Sequence, residues 1–227
     1  AHQAKALSYK ESLARSFGDI ATEFWIAKEK FDLAGCEEAA RVCESDYYKY
    51  KGLDARKNSE YDEAIAHFEN GKSIQYQLQR FFPMGASVHL RGARWFEGMI
   101  FETEAQKTML TLIQKRESLT GPVKLLRRAG EIFSELESQK HAAVDWWLAV
   151  ILMAVSEFHA GRIDEANRLL REAMQQVPPD FAFKMLVSQV DESWQPLRYA
   201  LSMIEDFNKF SRKIETEKGF SFESRVR

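Results

Sequence analysis

The sequence is most informative first for what it has little of. It holds two cysteines in 227 residues, Cys36 and Cys43. Seven positions apart, they fall on one face of a helix roughly 10 Å from each other, too far for a disulfide and at the wrong spacing for a zinc knuckle. They read as buried thiols in a reducing compartment, which makes a cytoplasmic protein the expectation. Prolines number five, none before Pro83, and each falls where apolar periodicity stops or restarts, so they separate helices instead of kinking them. Adjacent β-branched residues occur once, at Val150-Ile151, and no segment alternates apolar and polar for the length of a strand. That excludes a sheet and leaves an all-α chain.

An excess of one charge is missing too. Lys plus Arg at 32 against Asp plus Glu at 34 gives a net charge of −2, which argues against a surface built to neutralise phosphates or anionic lipid. Nucleic acid is therefore not an expected partner. No leader-like segment opens the sequence. The longest apolar stretch, 142–155, is interrupted by Asp145 and is shorter than the roughly 20 residues of a bilayer span, so no membrane span is expected.

Chemistry-bearing motifs are absent as well. The five histidines stand singly, in no H-E-x-x-H or Glu-x-x-His pattern, and there is no glycine-rich phosphate loop or G-x-S-x-G elbow. The nearest ligand-like pairs, Glu63 with His67 and His141 with Asp145, read as surface or capping pairs. No cofactor, metal or catalytic residue is expected, and nothing supports an enzyme.

What is present is helical periodicity. Residues 3–34 carry an apolar stripe through Leu13, Phe17, Ile20, Phe24 and Phe31, as one helix or as two divided at Gly18. Helices follow at 36–58 and 60–80. The stretch 84–118 is one helix or two, since Gly92, Gly98 and the capping-box pattern Thr103-Glu104-Ala105-Gln106 weaken its middle. Gly121-Pro122 reads as a stop. Further helices are expected at 122–138, 140–160, 163–177, 181–190 and 196–217, which makes nine to eleven. A polar tail, 219–227, closes the chain.

Helices this short with such brief connections must be antiparallel neighbours, and two segments repeat one pattern. Tyr48, Gly52, Tyr61, Ala64, Phe68 and Gly71 in the first occupy the same offsets as Val150, Ala154, Ile163, Ala166, Leu170 and Ala173 in the second, where Pro178 follows. Gly52 with Ala64, and Ala154 with Ala166, are the small residues that let two helices approach closely. In these features the chain resembles the tetratricopeptide repeat (TPR) family, whose unit is a helix-turn-helix of about 34 residues. The matched units are 45–78 and 147–180, and Ala64 and Ala166 stand three such periods apart. The intervening registers depart from the pattern, with Glu102 and Ile132 at positions that call for a large apolar and a small residue. The resemblance implies an α-α superhelix of antiparallel helical hairpins forming one domain over 1–218, with 196–217 as a capping helix.

It also implies a function. In that family the first helices of the hairpins line a concave face that holds a peptide, a helix or a partner subunit. Here that face carries Lys49, Tyr50, Leu53 and Arg56 beside Asp46, suited to an acidic partner along an apolar strip. Leu53 stands where the family's carboxylate clamp needs an asparagine, which argues against chaperone C-termini. A second cluster, Arg91, Arg94 and Trp95, falls on one helical face and suits cation-π contact or a carboxylate. The expected function is thus a non-catalytic interaction or scaffold protein. The alternative is a helical enzyme or small-ligand sensor with a pocket near Arg91, Arg94 and Trp95 and near Trp146 and Trp147. Residues 142–158 are apolar all round, which predicts a buried helix covered by the helix at 196–217 or by a partner; dimerisation through that C-terminal helix is the second option.

Overall fold

The computed structural model describes residues 16–176. Among them are seven α-helices and no strand: α1 (Phe17–Leu33), α2 (Glu37–Lys57), α3 (Tyr61–Phe81), α4 (Ala86–Lys115), α5 (Thr120–Glu135), α6 (Gln139–His159) and α7 (Ile163–Gln176), with a short 3-10 turn, Pro83–Gly85, before α4. The all-helical class stands. The expectation of nine to eleven helices in a TPR-like superhelix does not: the described residues form seven helices in two compact units, with no superhelical arrangement established. The stretch 84–118, which the sequence leaves as one helix or two, is one continuous helix, and Gly92 within it marks a close approach: a Cβ there would lie 2.8 Å from the Gln75 side chain. The helices expected at 181–190 and 196–217, the tail 219–227, and the part of the first helix before Ser16 lie outside the described residues.

The helix ends follow from local chemistry. Ser16 caps α1 through a reciprocal capping box, its Oγ accepting from Asp19 N–H while the Asp19 carboxylate accepts from Ser16 N–H. The connection after α1 closes by a Schellman pattern, Cys36 N–H donating to Phe31 C=O and Gly35 N–H to Asp32 C=O, with Gly35 at φ +71°. The turn after α6 repeats it around Gly161, and those after α2 and α5 place Ser59 and Glu137 in the same left-handed conformation. Gly121 and Pro122 prove to be in the first turn of α5, where the missing proline N–H has no helical partner to lose. They start a helix instead of stopping one.

The chain forms two compact units that divide at Ile100–Phe101, inside α4. In the first unit α2 and α3 form a tight antiparallel hairpin. The ring of Phe68 occupies the notch left by Gly52, where a Cβ would lie 2.4 Å from Phe68 Cε1, and Phe96 fills the notch at Gly71 in the same way. Ala64 and Phe68 are fully buried. In the second unit α6 is the central helix: Leu148, Ile151, Leu152 and Val155 are buried in a cluster with Met109 and Ile113 of α4, Leu126 of α5 and Leu170 of α7. Gly130 of α5 leaves the space against which the Trp146 indole packs. The stretch His141–His159 is long and apolar enough to cross a membrane by length and composition, and 56% of it is buried inside the protein.

Candidate functional site

The two clusters nominated by the sequence both belong to the first unit and meet at Lys49 and Trp95. Lys49, Tyr50, Leu53 and Arg56 project from the second half of α2, and Arg91, Arg94 and Trp95 from the first half of α4. Lys49 joins them: its Nζ lies 4.8 Å from the centre of the Trp95 ring and 5.5 Å from that of Tyr50. An ammonium over aromatic faces at this range is attracted by the ring quadrupole. The contact also covers the lysine's methylene stem. Nothing in the sequence periodicity brings residues 49 and 95 together, since they sit on different hairpins.

Each member has a second role that fixes its place. Tyr50 stacks on Phe24 of α1, with centroids 5.4 Å apart and planes 11° from parallel. Trp95 meets Phe68 edge-on at 6.2 Å and Phe96 at 5.3 Å. A row of aromatic rings thus crosses the unit from α1 to α4, with Lys49 between its two halves. Leu53 and Arg56 are half-buried along α2, Arg91 is exposed, and Arg94 is half-buried and paired with Glu97. Asp46, one turn before Lys49, has its carboxyl held above the usual carboxylate range by burial, an effect that the Lys49 charge opposes.

The other residues singled out by the sequence fall elsewhere. Trp146 and Trp147 belong to the second unit: Trp147 is buried in its core and Trp146 is 39% exposed beside Gly130. His67 is hydrogen-bonded to Glu63 at 3.3 Å, and His141 Nδ1 to the Ser138 hydroxyl at 2.8 Å. Among the described residues no group of three His, Cys, Asp or Glu side chains is placed to hold a metal.

One polar group escaped the sequence reading. Behind the candidate face, Gln75 of α3 donates from Nε2 to Ser45 Oγ of α2 at 2.9 Å, and Ser45 donates onward to Gly71 C=O at 3.4 Å. The ring of His89 on α4 bonds Gln75 Oε1 through Nδ1 and Glu38 Oε1 through Nε2, each at 3.2 Å. Ser45, Gln75 and His89 are all buried. The network ties three helices in one register, and its members share no spacing that a periodicity argument detects. Comparison with protein-family models, curated proteins and solved structures finds no match to this chain.

Proposed function

We propose that the chain is a non-catalytic protein-binding module, with the α2–α4 face around Lys49, Tyr50 and Trp95 as the surface that holds a partner segment. The observation that supports this most is the Lys49–Trp95 contact, which brings one member of each separately nominated cluster together as a cationic and aromatic pair. Such surfaces suit recognition, because aromatic rings present large rigid contact areas and a lysine released from them gains full donor capacity toward a carboxylate. The hairpins carrying the TPR-like offsets act as the scaffold: Gly52, Ala64, Phe68 and Gly71 are buried between helices and leave the outer positions of α2 for contact. Two free thiols, Cys43 buried as expected and Cys36 exposed where burial was expected, suit a cytoplasmic setting. The test is quantitative affinity capture with the full chain and with its Lys49→Glu variant, both checked for unchanged helicity. A partner retained by the first and reduced at least tenfold with the second supports the reading; equal retention rejects this face.

A further inference from the structure

At the end of the first unit where the α1–α2 and α3–α4 connections meet, a groove of about 690 Å³ opens between Phe31 and Phe82, floored by Val42 and bordered by Cys36. That volume is in the range of ligand-sized pockets. Its titratable oxygen groups are Glu37 and Glu38, and among the described residues no lysine, arginine or histidine lines it. The acidity extends around it: between residues 29 and 45 five carboxylates stand against two basic side chains, although the whole chain is nearly neutral. Glu38 is held in place by the buried His89, itself fixed by Gln75, so one acidic edge of the groove is preorganised. Apolar surface continues beyond the rim, with Leu33 90% exposed at the last position of α1 and Met84 fully exposed in the α3–α4 connection. A groove that is apolar inside, acidic at one edge and flanked by further exposed apolar side chains suits a polypeptide segment, whose contacts run past the pocket itself.

We infer that this groove docks a protein segment that presents a bulky apolar side chain next to a lysine or arginine, the apolar group entering between Phe31 and Phe82 and the cation facing Glu37. This is a site distinct from the Lys49–Trp95 face, and it does not depend on that face being functional. Charge complementarity selects the occupant: an acidic segment meets two glutamates, whereas a basic one finds partners at the groove edge.

The probe is a fluorescein-labelled 14-residue amphipathic Leu/Lys peptide, with a Leu/Glu peptide of the same spacing as its counterpart, titrated against the full chain by anisotropy. In parallel, the rate of Cys36 modification by a thiol reagent is followed. The inference predicts that the Leu/Lys peptide binds at least tenfold more tightly than the Leu/Glu peptide and slows Cys36 modification at least fivefold. It also predicts that Glu37→Lys weakens binding at least fivefold and that Val42→Trp, which fills the floor, does the same. Equal binding of the two peptides overturns it, as does no binding, or binding that leaves the Cys36 rate unchanged. A dimeric mass by light scattering with Cys36 already protected assigns the groove to a second copy and overturns it as well. So does a monomer in which Cys36 is protected without peptide, since the chain then covers the groove itself.

Discussion

The ammonium of Lys49 rests 4.8 Å from the centre of the Trp95 indole, a contact between the second and fourth helices across the face of the third. Both side chains are half-buried, so the attraction is less screened than on an open surface. A double-mutant cycle of Lys49→Met and Trp95→Leu, followed by urea unfolding, is expected to give a favourable coupling of about 0.5–2 kcal/mol. A coupling indistinguishable from zero would mean that the two side chains are neighbours without an energetic link.

Helix approach in the first unit depends on Gly52. Its missing side chain makes room for the buried Phe68 ring, whose nearest atoms would lie 2.4 to 2.9 Å from an added Cβ. Gly52→Ala should destabilise the first unit by about 1–3 kcal/mol. Gly121→Ala, at a helical position with nothing within 4 Å, should be neutral or stabilise by up to about 1 kcal/mol. Thermal melts of the two variants separate a packing glycine from an ordinary one.

The buried network makes a different prediction, because it concerns polar groups left without partners. Gln75→Leu keeps the volume near that of the native side chain but removes one of the two partners of each of Ser45 and His89, leaving His89 Nδ1 unsatisfied while the bonds to Gly71 C=O and Glu38 remain. The expected loss is about 1–3 kcal/mol for each polar group left unsatisfied, read as a lower urea midpoint. Adding Ser45→Ala to that background should cost less than Ser45→Ala in the native chain, since the bond to Gln75 is already gone and only that to Gly71 C=O is left to lose.

His159 provides a pH dependence. Burial, with a smaller contribution from the Arg116 charge, holds its imidazole below the usual histidine value of 6.5, and its Nδ1 is buried without a hydrogen-bond partner among the described residues. The folded chain therefore binds fewer protons than the unfolded chain as pH falls past 6.5, so stability drops across that window and is full above it. Melting temperatures of the native chain and of His159→Phe, measured between pH 5 and 8, should converge toward low pH if the native histidine is the more stable at pH 8. A native curve that stays parallel to the variant's throughout contradicts this assignment.

The hairpins were legible in the sequence because their signals are local. Glycine and proline punctuation placed α2, α3, α6 and α7 within a residue or two of their observed ends, and the small-residue offsets named Gly52, Ala64, Ala154 and Ala166, all buried. Ile163 shows the limit of pattern matching: it occupies the offset of the buried Tyr61, yet it is 46% exposed at the first position of α7. Gly92 left the continuity of α4 open for a physical reason, since a glycine weakens an isolated helix but serves a packed one wherever a neighbour must come close, as the Gln75 side chain does there. The Lys49–Trp95 contact and the Ser45–Gln75–His89–Glu38 network were invisible because each joins helices far apart in sequence through single side chains, with no period to reveal them. The groove at Phe31 and Phe82 was hidden for the same reason, being made where two separate connections meet.

The most direct test of the central claim is site-specific photo-crosslinking on the candidate face. A photoreactive residue replaces Arg91, exposed on α4 beside Trp95, and in a separate chain replaces Lys124, exposed on α5 of the second unit. The account predicts a discrete protein adduct from position 91, none of that mass from position 124, and loss of the adduct when Lys49→Glu is added. Adducts of equal yield from both positions, or none from position 91, would contradict it.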